Sequence, residues 1–156
     1  MKTALIVAGF VLGLSLPSLT QAAEVTVTTT LNAYSGNGAY LAFYLTDAKG
    51  KYNSTLWVAG AKTKYYKHLQ DWARGSGLKS TEYDGRTGAS VTSGEQLTFK
   101  VTINDALIDA GYLIRVDSAV EDQRDQRVDA EVALTRQGAG TEVAGRGYIK
   151  TIRYSL

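Results

Sequence analysis

From Val25 onward, apolar and polar residues mostly alternate, which is typical of strands with one face in a core and the other in solvent. The clearest run is residues 97–103, where Leu, Phe, Val and Ile alternate with Thr and Lys. An Asp-Ala-Lys-Gly turn signal at residues 47–50 separates two further runs. The pattern predicts about seven strands, at residues 25–31, 40–45, 51–58, 97–103, 112–120, 129–136 and 142–154.

One segment breaks this alternation. In residues 64–74, Tyr65, Leu69 and Trp72 have the spacing of a single stripe on a helix. Thr63 can cap the start of this helix, and Gly75 can supply the left-handed residue that ends it. The sequence therefore predicts an all-β fold, an immunoglobulin-like or fibronectin-like β-sandwich with one inserted helix around residues 63–74.

The first 22 residues have the organisation of a secretory signal peptide. Lys2 precedes an apolar run at residues 4–16, and small residues stand before the expected cleavage point after Ala22. The run is shorter than the roughly 20 residues that a membrane-spanning helix needs. We therefore expect a cleaved signal at residues 1–22 and a single periplasmic domain at residues 23–156, which does not span the membrane.

Composition argues against several kinds of chemistry. The chain has no cysteine and one histidine, and its net charge of +2 comes from scattered residues. Thiol catalysis and a disulfide scaffold are excluded, and a zinc or copper site or a nucleic-acid surface is not indicated. Catalysis by serine, histidine and aspartate would depend entirely on His68, which we interpret as a packing or hydrogen-bonding residue. We assign no catalytic residue and no metal ligand.

Two further features have ordinary structural interpretations. Residues 121–127 mix acidic and basic side chains between two strands, which indicates a solvated hairpin tip. Nothing in the sequence places two carboxylates across a cleft, as a glycosidase requires. The chain has ten tyrosines, but tyrosine is a favoured strand residue, and Trp57 and Trp72 fit core positions.

The segment at residues 83–94 is the strongest candidate for a functional site. It contains Asp-Gly and Thr-Gly turn dipeptides and three glycines, so local physics predicts a surface loop. Asp84 stands six residues before Ser90, and Gly88 and Ala89 directly precede this serine. A hydroxyl flanked by small residues on such a loop can enter the active site of another enzyme.

The order Asp-x-x-Thr-Gly-Ala-Ser resembles the acceptor motif of proteins modified by FAD:protein FMN transferases, such as flavin-carrying subunits of the sodium-pumping quinone reductase. The resemblance implies that FMN is joined covalently to Ser90 through a phosphoester. Serine replaces the commoner threonine and preserves the chemistry. The surrounding positions that the transferase would recognise are Asp84, Gly85, Thr87, Gly88, Ala89 and Thr92.

A second resemblance covers nearly the whole chain after the signal. It rests on residues 40–47, 55–58, 64–72, 87–90, 111–112 and 119–121. These segments look like a predicted periplasmic family, domain of unknown function 2271, whose members are similar to flagellar-hook-type immunoglobulin-like domains. Such proteins tend to be encoded beside PepSY-domain membrane proteins and FMN transferases. The two resemblances imply an electron carrier rather than an enzyme, which relays electrons between a PepSY-type membrane reductase and an extracytoplasmic acceptor such as a ferric complex.

Proximity along the chain suggests which residues contact the flavin. Tyr83 or Tyr66 is expected to pack on the ring, and Arg86 or Lys79 to favour its anionic reduced form. The alternative is a non-redox immunoglobulin-like binding or accessory module, in which residues 83–94 are only a connection. Covalent attachment of flavin distinguishes the two hypotheses.

Overall fold

The computed structural model describes residues 20–156, so the predicted signal peptide up to residue 19 lies outside the described residues. The described chain folds into two sheets with strand orders β5-β1-β9-β8 and β4-β3-β2-β6-β7. The strands are β1 Ala22–Leu31, β2 Tyr40–Thr46, β3 Tyr52–Ala59, β4 Thr87–Gly88, β5 Gln96–Asn104, β6 Leu113–Ala119, β7 Gln126–Ala133, β8 Val143–Ala144 and β9 Ile149–Ser155. The seven longer strands correspond to the seven predicted segments, which confirms the β-sandwich.

Alternation along β1 shows how the sequence builds the first sheet. Val25 and Val27 are fully buried, while Thr26, Thr28 and Thr30 lie on the outer face. Antiparallel pairing with β5 places Val27 opposite Phe99. Phe99 in turn meets Phe43 of β2 edge to face, with ring centroids 4.9 Å apart. This contact joins the two sheets through a shared apolar core.

A helical insertion lies between β3 and β4. It consists of a 3₁₀ helix at Thr63–His68, helix α1 at Gln70–Ser76 and helix α2 at Ser80–Tyr83. The sequence predicted one continuous helix, but Leu69 leaves helical geometry with φ −84° and ψ 72°. Helix α1 ends at Ser76, and the left-handed cap is Gly77 (φ 62°), not Gly75. Lys62, not Thr63, precedes the first helical residue.

Packing against the second sheet explains this interruption. Within the insertion, the fully buried aromatic and aliphatic side chains are Tyr66, Leu69 and Trp72, which are spaced three residues apart. A spacing of three matches the 3.0 residues per turn of a 3₁₀ helix better than the 3.6 of an α-helix. Tyr65, which the sequence placed on the buried stripe, is only partly buried. Tertiary packing therefore selects a different stripe from the one predicted.

The insertion buries the outer face of the second sheet. Ala42, Tyr44 and Val58 of this sheet cluster with Tyr66 and Trp72 of the insertion. Strand β2 is thus covered on both sides, and all its residues after Tyr40 are buried. This explains why β2 is apolar at nearly every position, as expected for a strand with no solvated face.

A buried carboxylate fixes the insertion to the sheet. Asp117 of β6 is fully buried and accepts hydrogen bonds from the backbone N–H groups of Asp71 (2.7 Å) and Trp72 (2.8 Å) at the start of α1. It also accepts from the hydroxyl of Tyr44 (3.0 Å) and the N–H of Val128 in β7 (2.9 Å). Burial raises the pKa of Asp117 above its ordinary value, and the hydrogen bonds from Trp72 and Val128 oppose this shift.

Candidate functional site

The loop at residues 83–94 is held to the second sheet by backbone hydrogen bonds. Strand β4 pairs in parallel with β3, and the N–H of Gly60 donates to the carbonyl of Gly88 at 2.8 Å. Further along, Val91 and Ala39 exchange two backbone hydrogen bonds, of 2.7 and 3.0 Å. Ser90 lies between these two attachments and is exposed. Its backbone position is therefore fixed while its side chain stays accessible.

Gly38 and Gly88 have no side chains, and this allows the loop with Ser90 to lie close to the sheet. A Cβ atom on Gly38 would lie 2.5 Å from Oγ and 3.0 Å from Cβ of Ser90. A Cβ on Gly88 would lie 2.8 Å from the ring of Trp57, which stacks on Phe99 with centroids 5.5 Å apart. A side chain at Gly88 would push the loop away from the sheet, and one at Gly38 would displace the Ser90 side chain, because contacts below 3.0 Å are repulsive.

Most of the predicted recognition motif faces solvent. Among the motif residues named in the sequence analysis, Gly88 is partly buried and the others are exposed. The exposed positions are Asp84, Gly85, Thr87, Ala89, Ser90 and Thr92. These residues and Ser90 are therefore accessible from solvent without unfolding of the sandwich.

Ser90 lines a cavity of about 700 Å³ between its loop, the 3₁₀ helix and the β6–β7 connection. This volume lies within the range of about 300–1,000 Å³ usual for small-molecule sites. The walls include the rings of Tyr40 and Tyr65, whose centroids are 5.5 Å apart at an interplanar angle of 77°. His68, the last residue of the 3₁₀ helix, also lines the cavity.

Acidic residues of the β6–β7 connection form the opposite wall. Glu121 accepts hydrogen bonds from the hydroxyl of Tyr65 (3.0 Å) and the amide of Asn37 (2.7 Å). Asp125 is bonded to Nδ1 of His68 at 3.1 Å. The sequence indicated only a solvated hairpin tip here, but these carboxylates hold the 3₁₀ helix. The partners lie more than fifty residues apart, so no local pattern could reveal the contact.

The residues predicted from chain proximity to contact a flavin do not line this cavity. Tyr83 and Tyr66 pack on each other at right angles within the helical insertion, with centroids 5.2 Å apart. Arg86 donates to two backbone carbonyls, and Lys79 is an exposed residue before α2. These four residues are not among those that line the cavity. The cavity instead presents Tyr40, which sequence reasoning did not select.

Comparison with known proteins gives one positive result. A family model described as "Predicted periplasmic protein (DUF2271)" matches residues 22–151. No curated protein and no solved structure matches the chain. Within residues 20–156, no helix has the length and apolar character needed to cross a membrane.

Proposed function

The chain belongs to this family of predicted periplasmic proteins, and we propose that it is a periplasmic electron carrier with FMN attached covalently to Ser90. One observation carries the proposal: the acceptor-like hydroxyl is exposed, fixed in position by its backbone and open to a cavity of small-molecule size. A plain connecting loop would not need these three properties together. The periplasmic location agrees with the description of the family.

The attachment step requires only a hydroxyl from this chain. Ser90 Oγ attacks the phosphorus on the FMN side of the FAD pyrophosphate, a phosphoester bond forms, and AMP leaves with the broken phosphoanhydride bond. The hydroxyl proton passes to a base of the FAD:protein FMN transferase. No base is needed beside Ser90 in the carrier, because the transferase supplies both base and metal.

The residues around the cavity fit a flavin. Tyr40 and Tyr65 bring aromatic rings to the cavity. Asn37 and Gln123 line the same space, and their amides donate to Glu121 and to the carbonyl of Ser35. When bound, FMN supplies reversible electron uptake, for which this cysteine-free chain has no side chain of its own. Covalent linkage keeps a cofactor from being lost outside the cytoplasm.

We further propose the direction of electron flow. A PepSY-domain membrane protein is the electron donor, and an extracytoplasmic acceptor, such as a ferric complex, receives the electrons. The exposure of Ala89 and Ser90 supports this role, because redox partners must approach the carried group closely. The donor is identified by asking which membrane reductase bleaches the yellow oxidised protein.

Co-expression with an FAD:protein FMN transferase tests the attachment. The wild-type protein should become yellow, gain the mass of one FMN adduct and keep its fluorescence on a denaturing gel. Ser90→Ala should remain colourless. Ser93→Ala is the matched control in the same loop, since the Ser93 hydroxyl is engaged by the N–H of Tyr34 at 2.7 Å, and it should be labelled normally.

A colourless wild-type protein, or equal labelling of Ser90→Ala, would contradict the proposal. The chain would then be better described as a non-redox binding or accessory module of the periplasm. The same variants distinguish attachment at Ser90 from noncovalent flavin in the cavity, because noncovalent flavin does not survive denaturation.

A second candidate function, hydrolysis with Ser90 as nucleophile, is favoured by one observation. Ser90 shares its cavity with His68, and His68 is hydrogen-bonded to Asp125, so the three residue types of a catalytic triad line one space. A fluorophosphonate reagent distinguishes the two functions. Labelling of Ser90 in the flavin-free wild type, but not in His68→Gln, would support the hydrolase instead of the carrier.

A further inference from the structure

A second cleft lies near the other end of β2 from the Ser90 cavity. Its volume is about 320 Å³, at the lower end of the range for small-molecule sites, and it shares no lining residue with that cavity. Tyr40 lines the first site and Tyr44 the second, and residues four apart on a strand lie about 13 Å from each other on one face. We call the second site the arginine cleft, after Arg74, Arg115 and Arg127.

Positively charged side chains from four elements meet in the arginine cleft. Arg74 comes from α1, Arg115 from β6 and Arg127 from β7, and Lys49 comes from the turn between β2 and β3. Asp71 is the one carboxylate among the lining residues. Guanidinium and lysine ammonium groups are ordinarily charged at neutral pH, so the cleft is cationic under physiological conditions.

Arg115 has free hydrogen-bond donors in this cleft. Its side chain is 22% exposed, and its Nε donates to Glu131 at 2.5 Å. Within residues 20–156, its two Nη atoms donate no hydrogen bond to the protein. Gly50 makes room for the guanidinium, because a Cβ at this position would lie 2.7 Å from Nη1. A partly buried guanidinium with free Nη groups is well suited to binding an oxyanion.

The carboxylates near the cleft do not neutralise it. Arg74 and Arg127 share a single oxygen of Asp71, with N–O distances of 3.3 and 2.7 Å. Glu131 pairs with Arg115, and the buried Asp117 acts on Arg127 from below. These three carboxylates face four cations, so a positive excess remains. An exposed anion in the cleft would be attracted by this excess.

The backbone beside Arg127 is strained. Val128 has a φ of 46°, which is unfavourable for a β-branched residue. The pairing of β6 with β7 shifts register here, so that residues 127–129 bulge opposite Asp117. Bulges redirect side chains, and Nε of Arg127 donates to Asp71 of α1 at 2.9 Å. Strain of this kind is concentrated at functional sites, which supports a binding role for the cleft.

We propose that the arginine cleft binds a phosphate dianion, either free or as a monoester. Guanidinium groups that approach from three elements can donate to a tetrahedral anion from several sides, whereas a planar carboxylate fits only one fork at a time. The hydroxyls of Tyr44 and Tyr52 donate to Asp117 and Glu82, so the free donors of the cleft are the charged ones. The proposal is independent of flavin attachment.

An NMR titration of the secreted protein with inorganic phosphate tests the proposal. At about pH 7.5 phosphate is mostly dianionic, and the ionic strength is held constant with sodium chloride. Backbone amide shifts should change saturably in the turn at residues 47–51, in α1 and around Arg115 and Arg127. Sulfate should compete with phosphate, because it is also a tetrahedral dianion. Acetate should bind more weakly.

Charge-removing variants locate the site. Arg74→Gln and Arg127→Gln should each weaken phosphate binding about threefold, and the double variant about tenfold, as expected for exposed charges. Arg153→Gln is the matched control, because Arg153 is an exposed arginine of β9 outside the cleft. It should leave the affinity unchanged.

Glu131→Gln tests the same site in the opposite direction. The substitution removes the negative charge beside Arg115 and should tighten phosphate binding about threefold. A purely structural role of the arginines does not predict a gain in affinity. This variant therefore keeps the test decisive even if an arginine variant is poorly folded.

Three results would overturn the proposal. The first is an absence of saturable shifts, or equal affinity for acetate. The second is wild-type affinity in the Arg74 and Arg127 double variant, which would place the phosphate elsewhere. The third concerns lipid headgroups, whose phosphodiesters carry a single charge: sedimentation with phosphatidylglycerol vesicles without any binding of inorganic phosphate would indicate a membrane-binding surface instead.

Discussion

Replacing Asp117 with alanine should release the helical insertion while leaving the sandwich folded. The substitution removes a fully buried acceptor of four hydrogen bonds, two of them from the first turn of α1. The N–H groups of Asp71 and Trp72 would then have no partner at the place where α1 meets β6. The main core between the sheets, which includes Val27, Phe43 and Phe99, does not involve Asp117.

The expected size follows from the contacts. A hydrogen bond to a charged group contributes about 1.5–3 kcal/mol. Two such bonds to the start of α1 are lost, and water reaching the freed N–H groups restores part of their contribution, so the cost to the insertion should be about 3–5 kcal/mol. The insertion is held otherwise by a small cluster around Tyr66, Leu69 and Trp72. Because about 1.4 kcal/mol is a tenfold change in an equilibrium constant, local opening should become about a hundredfold to four-thousandfold more frequent.

Hydrogen exchange measured peptide by peptide is the appropriate assay. Amides of the 3₁₀ helix and α1 should exchange faster in Asp117→Ala, while those of β1, β5 and β9 should keep their protection. In Asp117→Asn, which retains one carbonyl oxygen as an acceptor, these amides should exchange at rates between those of wild type and Asp117→Ala. Equal loss of protection across both sheets, or unchanged exchange in α1, would refute the assignment of Asp117 as the local anchor.

Three further predictions concern the loop and the tyrosines. Gly38→Ala should lower FMN attachment to Ser90 by severalfold in a timed mass-spectrometric assay, with little effect on thermal unfolding, because its Cβ would displace the Ser90 side chain. Ser90→Thr should be labelled as fully as wild type, since threonine is the commoner acceptor, whereas no adduct on the threonine would contradict the proposed motif. Burial raises the pKa of Tyr44 and of Tyr52, so the unfolded state loses these protons at lower pH than the folded state. Stability measured by urea unfolding should therefore fall as pH rises above about 10, and both Tyr44→Phe and Tyr52→Phe should weaken this dependence.

The sandwich was largely predictable because each long strand has an alternation of apolar and polar residues within its own sequence. Alternation at Val25 and Val27, or at Phe99 and its neighbours, depends only on which side of a strand faces the core. The interruption at Leu69 was not predictable in this way. It depends on the fit of Tyr66 and Trp72 to the outer face of a sheet formed by distant residues.

The candidate site was predictable only in part for a similar reason. The motif around Ser90 is contiguous in sequence, so it can be found by inspection. The cavity beside it is formed by pairs such as His68 with Asp125 and Tyr65 with Glu121, separated by 57 and 56 residues. The one local signal was the alternation in β2, which places Tyr40 on the face opposite Phe43. The alternation indicates the face of β2 to which the Tyr40 ring belongs, but it does not indicate which residues lie beside that ring.

The backbone attachments of the Ser90 loop also bear on its use in protein engineering. Gly60 and Gly88 on one side, and Ala39 and Val91 on the other, hold the loop through main-chain atoms that any sequence provides. Its special requirements are a small residue facing the acceptor, met here by Gly38, and an aromatic platform under Gly88. A segment with so few side-chain dependencies is suitable for grafting onto an unrelated β-sandwich. If Ser90 accepts FMN as proposed, the graft would place a redox label at a chosen edge of a sheet.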